Sequence, residues 1–261
     1  MKESDLIFGL LASQKKAEYS FSDLAWLTAP FRVSETSLRT NLSRMVGSGV
    51  LKVRKEGRKA WYGFTPKSAQ YSSHVSLGFR NPDWTHWDGR WWGISMTMPK
   101  QENSLRYRMT KKLAGHRFAL MNPGFWIRPC HPLEQIEIRL REVFESPFAT
   151  PLVFAFSRDE DLEAIPGLWK IDSINREFRE GLAFLRESQG NDDLENPEVA
   201  FVRKMEVGDR VVKLLHKDPL LPDGFLPEDW QGGQLRRAFL EWDELVTRKS
   251  RPYWERIHQT P

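Results

Sequence analysis

The sequence predicts an α+β protein in three parts, and three observations carry that prediction. A polar-faced helix runs directly into a basic hairpin near the N-terminus, short apolar strands alternate with two helices in the middle, and long amphipathic helices fill the last third. The expected boundaries are residues 1–80, 88–157 and 165–261. A chain of 261 residues is long enough for each part to bury a core of its own.

The first part is the most informative. Between Ser34 and Phe64 the chain reads SETSLRTNLSRMVGSGVLKVRKEGRKAWYGF. Leu38, Leu42 and Met45 recur at helical spacing and form one apolar stripe, while Thr36, Arg39, Thr40, Ser43 and Arg44 occupy the remaining arc. Ser34 is placed to cap this helix and Gly47 and Gly49 to end it. A hairpin follows by alternation, with Leu51 and Val53 on one strand, a turn at Glu56-Gly57, and Ala60, Tyr62 and Phe64 on the return strand. Upstream, Leu6, Ile7, Leu10 and Leu11 space a first amphipathic helix, and a second short helix is expected from Ser22 through Leu24, Ala25 and Leu27, ending before Pro30. Helix, helix, turn, helix, hairpin is the order of a winged helix-turn-helix, whose third helix enters a DNA major groove.

Charge points the same way. Eight Lys or Arg stand against two acids between Arg32 and Lys59, a local balance of +6 in a chain whose total is +4. Basic side chains concentrated on one helix and one hairpin are the footprint of phosphate contact, because neutralising phosphates releases condensed counterions. The residues expected to touch DNA are therefore Thr36, Arg39, Thr40, Ser43 and Arg44 on the helix, and Arg54, Lys55, Arg58 and Lys59 on the wing. Leu38, Leu42 and Trp61 are expected to be structural.

The middle part has the order β-α-β-β-α-β of a ferredoxin-like fold. WWGISMTM is β-rich, residues 103–115 alternate charge and apolar character as a helix does, and FALMNPGFWIRP reads as two strands around Asn122-Pro123-Gly124. A helix from Leu133 to Phe144 and a strand from Leu152 to Phe156 complete it. The acids Asp159, Glu160, Asp161 and Glu163 follow; they lack the ligand spacing of a calcium loop and read as a solvated connection. Further on, Ile171–Arg186 and Glu198–Leu215 are amphipathic helices. The stretch DPLLPDGFLPEDWQGG cannot be regular, and a last helix spans Arg236–Glu255 with Pro252 as a possible break.

The lone cysteine, Cys130, excludes an intrachain disulfide and fits a reducing compartment. The first apolar run, Leu6–Ala12, is too short to span a bilayer and lacks a signal-peptide cleavage site, so the expected location is the cytoplasm, with no membrane contact.

Taken together, these segments resemble the PaaX family of bacterial transcriptional repressors. The resemblance is carried by S-L-R-T-N-L-S-R-M-V with R-K-E-G-R-K-A-W-Y-G-F-T, by W-D-G-R-W at 87–91, by N-P-G-F-W-I-R-P at 122–129, and most specifically by the D-P-L-L-P to D-W-Q-G run at 218–232. It implies a central domain similar to that of CRISPR-associated spacer-acquisition nucleases, a homodimer on an inverted-repeat operator in double-stranded DNA, and release by an aryl-acyl coenzyme A thioester such as phenylacetyl-CoA. Repression, as opposed to activation, is implied by the resemblance alone.

The nuclease-like fold raises an alternative, a nucleic-acid-processing or RNA-binding protein. Metal-dependent phosphodiester cleavage needs clustered carboxylates, and the nuclease relatives carry an aspartate at the end of the first strand. Here Trp91–Met98 contains no acid, and the phosphate-loop, dinucleotide, zinc-protease and nucleophile-elbow signatures are absent. An enzyme is not expected, nor is a cofactor or metal. For the effector, Arg106, Arg108, Lys111, Lys112 and Arg128 are candidates to meet phosphates, although a solvated helix face accounts for 106–112 as well, and the ligand pocket has no signature in the sequence.

Overall fold

The computed structural model describes residues 1–13, 16–69, 72, 82–131, 136–158, 162–190 and 192–259, so the acids Asp159, Glu160 and Asp161 lie outside the described residues. The chain packs as two compact units: residues 1–80, 178–216 and 232–261 form one, and residues 81–177 with 217–231 form the other.

In the first unit, α1 (Glu3–Ser13), β1 (Tyr19–Ser20), α2 (Phe21–Thr28), α3 (Glu35–Gly47), β2 (Leu51–Glu56) and β3 (Lys59–Phe64) follow in order. The three strands make an antiparallel sheet in the order β1-β3-β2. α2 begins at Phe21 because Ser20 and Asp23 form a reciprocal cap: the Ser20 hydroxyl accepts from the Asp23 N–H and the Asp23 carboxylate accepts from the Ser20 N–H, each at 3.1 Å. Ser22, the start expected from the sequence, lies within the helix instead. Pro30 enters a single 3₁₀ turn, Ala29–Phe31, after which Arg32 takes a left-handed conformation (φ 58°) that redirects the chain toward α3.

Two long helices belong to the same unit: α9 (Pro197–Leu215) and α10 (Gly232–Glu255), joined by the second half of α8 (Ile171–Gln189). Asn196 caps α9, its side-chain oxygen accepting from the Glu198 N–H at 2.9 Å, and Pro197 occupies the first helical position, where its missing N–H costs nothing. α10 begins four residues before the expected Arg236 and runs through Pro252, which falls in its last turn.

The apolar faces of α1, α2 and α3 do not close a core alone. Leu6, Ile7, Leu10, Leu24, Leu27, Leu38 and Leu42 are buried in one cluster with Phe201 and Met205 of α9, Tyr253 and Trp254 of α10, and Ile257. Tyr253 stacks between Trp26 of α2 (4.2 Å between ring centroids, 23° between planes) and Phe201 (4.7 Å, 23°). Phe201 also meets Trp254 edge-on at 5.0 Å and Phe31 at 5.7 Å. Aromatic pairs of this kind add about 0.5–1.5 kcal/mol each to the gain from burial itself.

The second unit carries β4 (Trp91–Met96), α4 (Asn103–Gly115), β5 (Ala119–Asn122), β6 (Phe125–Pro129), the short helices α5 (Ile136–Arg139) and α6 (Arg141–Phe144), β7 (Ala149–Phe154) and the short helix α7 (Ile165–Leu168). Its sheet is antiparallel throughout, in the order β5-β6-β4-β7. Alternation along β4 sends Trp92, Ile94 and Met96 to the face covered by Met109, Leu113, Ile136, Leu140 and Val143, and Trp91 to the opposite face with Ile127 and Ile165. Trp91 also packs edge-on against Phe225 at 5.4 Å, which uses the proline-rich 218–232 run to cover the sheet.

Two expectations shift here. The helix expected over 133–144 is interrupted at Leu140 (φ −106°, ψ 25°), with residues 132–135 outside the described ones. The last strand spans Ala149–Phe154 instead of Leu152–Phe156, and Pro151 within it is tolerated because β7 is an edge strand. Among the described residues, no helix is long and apolar enough to cross a membrane.

Phe201→Ala removes a ring that is fully buried in the shared core, and is expected to destabilise the first unit by about 3–5 kcal/mol. Urea unfolding followed by circular dichroism checks this; a loss under 1 kcal/mol would mean that α9 is not part of that core.

Candidate nucleic-acid interface

α3 is built to show one face and bury the other. Its start is fixed by Ser34, whose hydroxyl accepts from the Ser37 N–H at 3.1 Å, and its C-terminal turn closes on Ser48, with Gly49 in a left-handed conformation (φ 73°). Leu38 and Leu42 are fully buried and Met45 nearly so. Thr36, Arg39, Thr40 and Ser43 are exposed together along the opposite side, as 3.6-residue periodicity requires. The Thr40 hydroxyl donates to the Thr36 carbonyl at 2.9 Å.

Arg39 lies back across its own surface. Its guanidinium sits 3.8 Å over the Phe21 ring of α2 and pairs with Glu35 at 3.3 Å. Both members of that pair are about two-thirds exposed (63% and 68%), so water screens it and it contributes under about 1 kcal/mol. Such a pair yields readily to a stronger acceptor.

Arg44 occupies a different position. It projects from the shoulder of α3, on the side where Ser37 and Asn41 both donate to the Glu3 carboxylate of α1. Its guanidinium donates to the Asn41 side-chain oxygen, and among the described residues no carboxylate pairs with it.

The hairpin closes through a two-residue turn, Gly57-Arg58, with Glu56 paired to Lys59 across the strands. This places the turn one residue later than the alternation suggested. Gly57 holds φ 58°, a conformation that a side chain would strain. Lys55, Arg58 and Lys59 are exposed around the tip, and among the described residues none has an acidic partner. Arg54 is held at the base: it donates to Glu18 at 2.9 Å and to Glu56 at 2.8 Å, and lies 5.5 Å over the Trp61 ring. Lys52 also pairs with Glu18 at 3.0 Å. Arg54 and Lys52 together hold the Glu18 carboxyl below the usual carboxylate range.

Of the nine expected site residues, the structure gathers Thr36, Arg39, Thr40 and Ser43 on one face and Lys55, Arg58 and Lys59 at one tip, while Arg44 and Arg54 turn toward internal partners. Glu18 was missed because it lies in an irregular segment before β1, where no periodicity marks it. The cations considered for an effector do not assemble around a slot. Arg108 and Lys112 pair with Glu142, Arg106 donates to the Met98 carbonyl at 2.7 Å, and Lys111 lies over the Tyr107 ring at 6.0 Å. Arg128 is buried and donates to the His116 carbonyl at 2.9 Å. Among the described residues, no group of three or more His, Cys, Asp or Glu could hold a metal ion.

Three family profiles together match most of the chain: PaaX-like protein over residues 3–68, PaaX protein central Cas2-like domain over 84–156, and PaaX-like protein C-terminal domain over 169–256. The chain belongs to the PaaX family. Transcriptional repressor PaaX of Escherichia coli strain K12 is 24% identical over 242 residues, covering 88% of this chain and 75% of that one. A solved structure, the uncharacterized protein Rv0674 from Mycobacterium tuberculosis, superposes with a TM-score of 0.61 at 23% identity and covers 95% of this chain and 96% of its own. That likeness concerns the fold.

Ser34→Ala leaves an N-terminal amide of α3 without its cap, and is expected to cost about 0.5–2 kcal/mol. Thermal unfolding of the variant checks this, and an unchanged midpoint would contradict the capping role.

Proposed function

We propose that this PaaX-family protein is a transcriptional regulator that binds double-stranded DNA through residues 1–80 as a winged helix-turn-helix. The observation that carries the reading is the pairing of an exposed polar face on α3 with exposed cations at the hairpin tip that have no acidic partner among the described residues. One suits base edges and the other suits phosphates. In this reading Arg39 swings off Phe21 to meet guanine O6 and N7, with Thr36, Thr40 and Ser43 beside it. Lys55, Arg58 and Lys59 grip the backbone, Arg54 joins them once released from Glu18, and Arg44 contacts the DNA from the shoulder of α3.

The similarity to Transcriptional repressor PaaX supports repression as the sign of action. The regulator acts in the cytoplasm as a homodimer on an inverted repeat, because two α3 helices about 34 Å apart along one DNA turn multiply modest half-site affinities. The central unit, read as ferredoxin-like, has no assigned chemistry in this account. Repression ends when an aryl-acyl-CoA-type effector such as phenylacetyl-CoA binds the arrangement that cannot hold DNA.

Selection of bound duplexes from a random library tests the reading directly: an enriched inverted repeat is expected, and salt-sensitive binding without an enriched sequence would overturn it. With that operator in hand, Arg39→Ala is expected to cost about 1–3 kcal/mol and to relax preference at one base position. Lys59→Ala is expected to weaken all sequences alike and to reduce the salt slope by about 1. Glu18→Gln, which removes the carboxylate charge that Lys52 and Arg54 share while leaving Arg54 paired with Glu56, is expected to steepen that slope. Unchanged slopes in both variants would remove the wing from the interface.

A further inference from the structure

α3 carries one acid. Glu35 stands exposed in its first turn, in a segment where eight Lys or Arg accompany only two acids between Arg32 and Lys59. The other acid, Glu56, is paired with Arg54 at 2.8 Å. Glu35 has one partner among the described residues, Arg39, which lies a turn further along the same helix at 3.3 Å.

Two ordinary roles suit an acid at this position. A carboxylate in the first turn meets the positive end of the helix dipole, and Glu four residues ahead of Arg is the favourable order for a pair. On a surface that meets DNA the same charge is a handicap, because it repels the phosphates that Lys55, Arg58 and Lys59 attract. A face built only for backbone contact has no use for it. A group that opposes binding in general, yet is relieved by one particular partner, confers specificity.

The pairing with Arg39 indicates which partner relieves it. When the Arg39 guanidinium leaves for guanine O6 and N7, the Glu35 carboxylate loses its cation and faces the groove with acceptors alone. Major-groove edges offer two donors, the amino groups at cytosine N4 and adenine N6, while guanine and thymine present acceptors. At adenine the neighbouring N7 is itself an acceptor and repels a carboxylate, whereas beside cytosine N4 there is only a C–H. Cytosine is therefore the base that a carboxylate prefers. Residues four apart on a helix have Cβ atoms about 5–6 Å from one another, and base pairs rise about 3.4 Å, so the two side chains reach positions no more than about two steps apart.

We infer that Glu35 is a specificity-determining residue that accepts from the amino group of a cytosine within about two base pairs of the guanine read by Arg39, and that it penalises duplexes lacking that cytosine. The inference rests on the reading of α3 as the helix in the major groove. It assigns the one acid of α3 to the DNA-reading face, beside Thr36 and Arg39.

The test is library selection with the full chain as wild type, Arg39→Ala and Glu35→Gln. Arg39→Ala marks the guanine. Glutamine keeps the size and reach of glutamate and loses only the exposed pair and the helix-end charge, so Glu35→Gln folds as wild type does. Its amide can accept from adenine N6 while donating to N7. Wild type is expected to select cytosine at one position within about two base pairs of the marked guanine, and Glu35→Gln to select adenine there with the other positions unchanged. On duplexes that differ only at this position, wild type should favour cytosine about tenfold and Glu35→Gln should not. Glu35→Gln should also bind random duplex more tightly than wild type. Identical base preferences in wild type and Glu35→Gln would overturn the inference and leave the proposed function standing. A change confined to the guanine position would overturn it as well, and would make Glu35 a group that positions Arg39. No enriched sequence with wild type would overturn the proposed function and this inference with it.

Discussion

The stacking of Tyr253 between Trp26 and Phe201 is the contact on which the first unit depends. The three short helices of residues 1–47 present more apolar surface than they can cover among themselves, and a module of this size is marginal without additional burial. α9 and α10 supply it from the far end of the chain. The consequence is that the helix proposed to read DNA and the helices at the C-terminus share one core, so a change at either is felt by both. Whatever alters the packing of α9 therefore alters the bed on which α1 and α3 lie.

Electrostatics over that core are arranged in two tiers. The cations at the hairpin tip have no acidic partners among the described residues, while Arg39 and Arg44 rest on partners that are exposed or neutral and Arg54 is shared between half-buried Glu18 and exposed Glu56. Exposed pairs of this kind contribute little, so these arginines are positioned without being committed. A phosphate, a base edge or a ligand anion competes against weak restraints.

Much of the fold was legible in the sequence because it follows from periodicity. The stripe Leu38, Leu42, Met45 and the cap at Ser34 gave α3 its face and its start, alternation located the strands of the basic hairpin, and the order of the central elements matches the strands and helices observed. What was illegible is whatever depends on contacts distant in sequence or too short to show a period. β1 is two residues long; Ser20 won the cap from Ser22 only because Asp23 stands three residues after it; and Pro151 sits in a strand because that strand is an edge. The sharing of a core between residues 6–51 and 201–257 has no local signature, and neither does the tethering of Arg54 by Glu18.

The central claim is that α3 owes its stability to the C-terminal helices. Amide hydrogen exchange in the full chain and in a chain ending at Gln231, which lacks α10, tests it most directly. The account expects the amides of α3 to be well protected in the full chain and to exchange rapidly without α10, while those of β4 and β6 keep their protection because their core is separate. Equal protection of α3 in both chains would contradict it, and would mean that α3 does not need α10.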